Sequence, residues 1–283
     1  MKLEKTDFNA YAFSARRKRK REHYRILVCE KCGLVRSDPV IEKEQLDLLY
    51  GESQFIYSEE APFAAETYLQ LLQEKVIPYI EGDLKNKTLL EIGCGNGFFL
   101  ENALELEIND VTGIEPSRSC YENASGKVKK NIINDVFRVE TFQGKKFDMI
   151  CSFHVLDHVP DPKQTLADVM ELLSPGGCVL LACHDVESWS VKLMKDHTPI
   201  FDIEHIYLFS KNTLSRLMSE AGFEVVEVSS YTNTYPLGYW LRMMPVVSGL
   251  VQFLPKSLKN IPLPVKAGNI YAVGKKPCRR KYS

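Results

Sequence analysis

The 283-residue sequence contains no apolar run approaching the roughly 20 residues needed to cross a bilayer, so no membrane-spanning helix is expected. Its opening residues are polar and basic with no apolar stretch behind them, so no secretory leader is expected. Charge of either sign is not in excess: 36 Lys and Arg face 37 Asp and Glu, a formal net charge of −1. That leaves no global pull toward nucleic acid or an anionic membrane. No internal repeat and no long low-complexity tract is present, which excludes solenoid and fibrous architectures. The 8 cysteines are scattered, several within strand-like runs such as "GCVLLAC". This pattern argues against a disulfide framework and for buried thiols in a reducing, cytoplasmic compartment. With 45% hydrophobic and 26% charged residues, the chain has the composition of one large globular domain with an appendage.

Local patterning divides it. Residues 1–60 hold a basic arm, "ARRKRKREH", and then "YRILVCEKCGLVRSDP", two short apolar runs about a Cys-x-x-Cys-Gly turn, expected as a small β-hairpin. From residue 61 to 283, apolar strand-like runs alternate with segments of helical periodicity. Strands are expected at "KTLLEIG", "DVTGIEPS", "KKNIIND", "KKFDMICSFHVLDHV", "CVLLACH", "FEVVEVSS" and "NIYAVGKK", with Ser210 as the N-cap of a late helix. Such alternation predicts an α/β fold, a doubly wound, largely parallel sheet with helices on both faces. Residues 231–268, rich in Pro, Tyr, Trp and Met, interrupt the last strand pair and read as an insertion.

The first strand runs into three alternate glycines, Gly93, Gly95 and Gly97, in "LLEIGCGNGFFL". In a doubly wound sheet the ligand lies beyond the carboxyl ends of the strands, and glycines there let the backbone come close to it. A dinucleotide turn would carry its third glycine where Phe98 stands, and Glu91 would repel a pyrophosphate. Acidic residues recur at the strand ends: Glu91, then Glu115, then Asp135. A carboxylate about twenty residues beyond the glycine turn can accept ribose hydroxyls, and one after the third strand an adenine amino group. This set describes a cationic nucleoside without phosphate, a description S-adenosylmethionine fits.

Residues 87–185 resemble the class I S-adenosylmethionine-dependent methyltransferases. "LLEIGCGNGFFL" is similar to their glycine motif, "VTGIEPS" to the strand ending in the ribose-binding acid, and "FDMICSFHVLDHVPDPKQTLADVMELLSPGGCVLL" to their fourth strand and the Pro-Gly-Gly turn. "EHIYLFSKNTLSRLMSEAGFEVVEV" is similar to the downstream segment of one subgroup, from which this chain departs by having Asp157 before His158. The resemblance implies a Rossmann-like sheet, mostly parallel with an antiparallel last strand, plus a small N-terminal appendage. It also implies cofactor contacts at Glu91, Gly93, Cys94, Gly95, Gly97, Glu115, Pro116, Asp135, Val136 and Ser152.

The Cys-x-x-Cys hairpin resembles half of a zinc knuckle found ahead of some methyltransferases of sugars and natural products. A structural zinc site needs four ligands, and Cys29, Cys32 and the local His23 would not complete one, so no metal is expected. The basic block is read as a solvated arm, and no nucleic-acid partner is expected. For a hydroxyl acceptor a base must remove a proton. His158 leads, with His154 and His184 as alternatives at the ends of strands four and five, and His205 is given a structural role. Such a base would titrate near 6.5 if unperturbed. Tyr235, Tyr239, Trp240, Met243 and Met244 of the insertion offer an apolar surface, read as a lid over the acceptor, a dimer contact or a surface leaning on a membrane. The expected activity is methylation of an oxygen on a small sugar-like or other biosynthetic intermediate. A non-catalytic nucleoside- or partner-binding scaffold is the alternative.

Overall fold

The structure is a computed structural model and describes residues 23–53, 61–195, 198–243 and 248–278. The basic block at 16–21 and Met244 lie outside these residues.

The chain opens with an antiparallel hairpin of β1 (Arg25–Val28) and β2 (Val35–Asp38), turned by Cys29–Gly33. The turn is closed by Gly33 N donating to Cys29 O at 2.8 Å, and Gly33 takes the left-handed φ of 76°. Helix α1 (Lys43–Gly51) and helix α2 (Ala61–Lys75) lead to β3 (Thr88–Ile92), and α3 (Phe98–Leu104) follows the glycine turn. Next come β4 (Asp110–Ile114), α4 (Arg118–Glu122), β5 (Ile132–Ile133), β6 (Phe147–Phe153) and α5 (Pro162–Leu172). They are followed by β7 (Leu173–His184), α6 (Trp189–Met194), β8 (Tyr207–Leu208), α7 (Lys211–Glu220) and β9 (Glu224–Ser230). The last part holds β10 (Asn233–Pro236), α8 (Leu237–Met243), α9 (Lys256–Lys259), β11 (Pro262–Val265) and β12 (Asn269–Lys275).

Seven strands form the central sheet in the order β5-β4-β3-β6-β7-β12-β9. Neighbours from β5 through β7 run parallel, and β12 is antiparallel to both β7 and β9. This is the mostly parallel, Rossmann-like sheet with an antiparallel last strand. Because side chains alternate along a strand, each central strand feeds two cores. Cys178, Leu180 and Ala182 of β7 join Leu89 and α3 residues on one face, while Val179, Leu181 and Cys183 join Leu90 and residues of α5 and α7 on the other. Leu180 is fully buried, and removing such a side chain from a packed core destabilises by about 2–5 kcal/mol. Ser210 caps α7, its hydroxyl accepting from Thr213 N at 3.3 Å. The Pro-Gly-Gly turn differs from expectation: α5 ends at Leu172, and residues 174–177 lie inside β7, looped out where the pairing with β6 slips.

The N-terminal hairpin is not a loose appendage. β8 pairs antiparallel with β2, placing Val35 opposite Leu208, so the hairpin shares a three-stranded sheet with a segment from far along the chain. Within 231–268, read from the sequence as an insertion, β10 and β11 form a ribbon with α8 and α9 beside it, and Trp240 Nε1 donates to Leu263 O at 2.9 Å. Among the described residues no helix is long and apolar enough to cross a membrane.

Candidate active site

The carboxyl ends of β3, β4, β6 and β7 open into a cleft of about 1530 Å³, lined also by residues of 231–268, of α1 and of α6. The glycine turn forms one end. Gly93, Gly95 and Gly97 adopt φ of 73°, 55° and 81°, and the turn is held to β4 by Gly93 N donating to Ile114 O at 2.8 Å. Two of the glycines do different work. A Cβ on Gly95 would meet nothing within 4 Å, whereas one on Gly97 would stand 2.8 Å from Val128 Cγ2 and 3.0 Å from Ile132 Cδ1.

Glu115 braces the turn from β4. Its two carboxylate oxygens accept from Gly95 N and Ser117 N, both at 2.9 Å, and its burial pushes the carboxyl up while those two amides pull it down. Glu91, 5% exposed, has no such support: its Oε2 is buried without a hydrogen-bond partner. Burial, and then the charge of Glu115, hold its carboxyl well above the usual range.

Of the expected cofactor contacts, Glu91, Gly93, Cys94, Gly95, Glu115, Pro116 and Val136 line the cleft. Three do not. Gly97 faces the Val128 and Ile132 side chains, so its lack of a side chain serves packing. Ser152 is packed within β6 beside Ile92. Asp135 is exposed, its Oδ1 accepting from Val136 N at 2.7 Å and lying 3.5 Å from Arg138 Nη1.

Four imidazoles adjoin in the same cleft. The ring centroids of His154 and His184 are 4.4 Å apart, those of His184 and His205 4.8 Å, and those of His158 and His205 4.8 Å. All four line the cleft, so His205, expected only as a structural residue, belongs to the same wall. His158 Nδ1 lies 2.9 Å from the hydroxyl of Tyr50 in α1. Burial lowers the His158 imidazole to about 4, well below the 6.5 expected from sequence. Burial likewise lowers His154. Tyr50 was not foreseen: it lies 108 residues from His158, and no local pattern marks it. The insertion contributes Tyr235, Leu237, Trp240 and Leu263 to the wall.

The fold is the Rossmann-like fold of methyltransferases. Residues 63–228 match the family model described as a methyltransferase domain, and the chain belongs to that family. It is an S-adenosylmethionine-dependent methyltransferase. A tRNA U34 carboxymethyltransferase of Aliarcobacter butzleri is 27% identical over 228 residues, covering 69% of this chain and 75% of that protein. A ubiquinone biosynthesis O-methyltransferase of Coxiella burnetii is 30% identical over 148 residues, covering 50% of this chain and 62% of that protein. A tRNA U34 carboxymethyltransferase of Nautilia profundicola is 36% identical, but the match spans only 35% of each chain. Among solved structures, the methyltransferase in a Haloferax volcanii complex with the Trm112 activator superposes with a TM-score of 0.54 at 16% identity, covering 84% of this chain and 99% of that one. A Bacillus halodurans methyltransferase gives 0.51 at 18% identity, covering 75% and 99%. At these identities the structures speak for the fold alone.

Proposed function

We propose that the enzyme methylates a hydroxyl oxygen on a small acceptor with a largely apolar body. The observation that carries this reading is the makeup of the cleft, which the His158 imidazole, hydrogen-bonded to Tyr50, lines together with Tyr235, Trp240 and Leu263. An aromatic and aliphatic wall suits a hydrocarbon-rich acceptor better than the sugar-like one expected from the half-knuckle. The relative named for ubiquinone biosynthesis O-methylation is in keeping with this acceptor class.

The cofactor, when bound, supplies an electrophilic methyl group on a positively charged sulfur. The glycine turn and the acids at the ends of β3 and β4 suit it. The buried, unpartnered Glu91 Oε2 is a carboxyl oxygen that a cationic ligand or a donor would satisfy, and the open space over Gly95 leaves room for a ligand against the backbone. Glu115, with one lone pair of each oxygen engaged by the backbone, can still accept from ribose hydroxyls. His158 is the group proposed to take the acceptor proton. Its lowered pKa keeps the imidazole neutral, and hence able to accept a proton, throughout the physiological range. Tyr50 orients that ring, and the insertion keeps water from the reacting oxygen.

The test is turnover to S-adenosylhomocysteine with a panel of hydroxylated acceptors, read as a mass gain of one methyl group. Phenolic or enolic acceptors with apolar substituents should be methylated faster than sugar nucleotides or tRNA. Methylation confined to tRNA, or on a nitrogen or carbon, would overturn the reading.

A further inference from the structure

The sequence offers too few cysteines at the hairpin for a metal, yet the folded chain assembles a different donor set. Among the described residues, His154, Asp157 and His184 each present a ligating atom within 4.8 Å of those of the other two. Ligand atoms about a bound divalent ion, each 2.0–2.2 Å from it, stand roughly 3–4 Å apart, so small side-chain rotations would close the set.

The hydrogen bonds orient the side chains of the three residues. Nδ1 of His184 lies 3.0 Å from Oδ1 of Asn269, an oxygen that can only accept, so Nδ1 carries the proton and Nε2 keeps the lone pair. Nε2 of His154 is 3.1 Å from the Tyr231 hydroxyl, while its Nδ1 is buried with no hydrogen-bond partner. Asp157 is fully buried; its Oδ2 accepts from His184 N at 3.0 Å, and its Oδ1 has no hydrogen-bond partner. His154 and Asp157 are thus each held through one atom with another buried atom left over, as metal ligands are by the groups around them. A buried carboxylate oxygen and a buried ring nitrogen left unsatisfied are each destabilising, and coordination would satisfy both. His154 also holds a left-handed φ of 54°, an unfavourable conformation for a residue with a Cβ.

We propose that His154, Asp157 and His184 form a binding site for a divalent transition-metal ion at the cleft. Two imidazoles and one carboxylate suit a borderline ion such as Zn²⁺, Fe²⁺ or Co²⁺, whereas Mg²⁺ and Ca²⁺ take oxygen shells. Three protein ligands leave coordination positions for water or an oxygen of the acceptor. His154 and His184 line the cleft, which gives such an oxygen access. The binding claim stands apart from the methyl-transfer reading, since it concerns the ion and this chain alone.

The test is titration of chelator-treated full-length protein with Co²⁺, followed by calorimetry and by the visible d–d absorption of the bound ion. Wild type should take up one equivalent. His154→Gln and Asp157→Asn should each lose that uptake, Asn269→Ala should weaken it about 10–100-fold, and Cys29→Ser with Cys32→Ser should leave it intact. S-adenosylhomocysteine affinity, measured on the same samples, should persist in His154→Gln; this separates loss of the ion site from loss of the cofactor site or of the fold. If Asp157→Asn does not fold, His154→Gln and Asn269→Ala carry the test. Absence of Co²⁺ uptake by wild type, uptake equal in wild type and His154→Gln, or uptake abolished by the cysteine pair would each overturn the proposal.

Discussion

Glu91→Gln should make the protein free of cofactor more stable and a worse binder at once. The wild-type side chain is 5% exposed, has one oxygen without a hydrogen-bond partner, and lies close enough to Glu115 for that charge to raise its pKa further. Its carboxyl in the folded chain therefore titrates above the usual 4.5. As pH rises through and beyond that value, the unfolded chain gives up its proton before the folded one does. The unfolded state is thereby favoured, so the apo protein loses stability with rising pH until the folded carboxyl also ionises. Gln keeps the shape and removes the ionisation. It leaves a buried amide imperfectly paired, so the net gain at neutral pH should be about 1 kcal/mol, a rise in melting temperature of roughly 2–4 °C. Cofactor affinity should move the other way. Losing a charge-assisted contact to a cationic ligand weakens binding by about 1.5–3 kcal/mol, or roughly 10- to 150-fold. Differential scanning fluorimetry from pH 5 to 8 reads the first effect and calorimetry with S-adenosylmethionine the second. A variant less stable than wild type at neutral pH, or one that binds the cofactor unchanged, would refute the reasoning.

Gly95→Ala should fold with a loss of about 1 kcal/mol, the strain of its left-handed φ, yet bind the cofactor much more weakly; Gly97→Ala, whose Cβ meets Val128 and Ile132, should lose more in melting temperature. Equal melting temperatures for the two would dissolve that distinction. Tyr50→Phe should lower turnover by about 2- to 10-fold, the scale of one hydrogen bond, with S-adenosylhomocysteine affinity unchanged; full turnover would remove Tyr50 from the orientation of His158. Replacing Tyr239 and Trp240 together with Ala should raise the acceptor KM while leaving cofactor affinity in place. A parallel loss of both, with a lower melting point, would make the insertion part of the core.

The strand–helix alternation, the glycine turn and the acids at the strand ends were all legible in the amino-acid order, because each is a local signal. Two-sided burial writes itself as an unbroken apolar run in "GCVLLAC", and glycine is the residue that takes a positive φ in a ligand-facing turn without strain. Glu91 and Glu115 could be placed from sequence for the same reason: a strand of known length delivers its last residue to the same edge of the sheet. Local spacing misled where neighbours mattered. Gly97 looks like Gly95 in the sequence, but only the fold brings Val128 and Ile132 against it; Asp135 sits at a strand end, but its strand is two residues long and its carboxylate stays at the surface with Arg138. The cleft histidines could be placed at their strand ends from sequence, but the partners that fix them could not. Tyr50 reaches His158 across 108 residues, and Asn269 reaches His184 across 85. Those pairings exist because β2 adds to β8 and β12 inserts beside β7, and sheet partners are chosen by the packing of the whole chain, with no trace in the residues next to either partner.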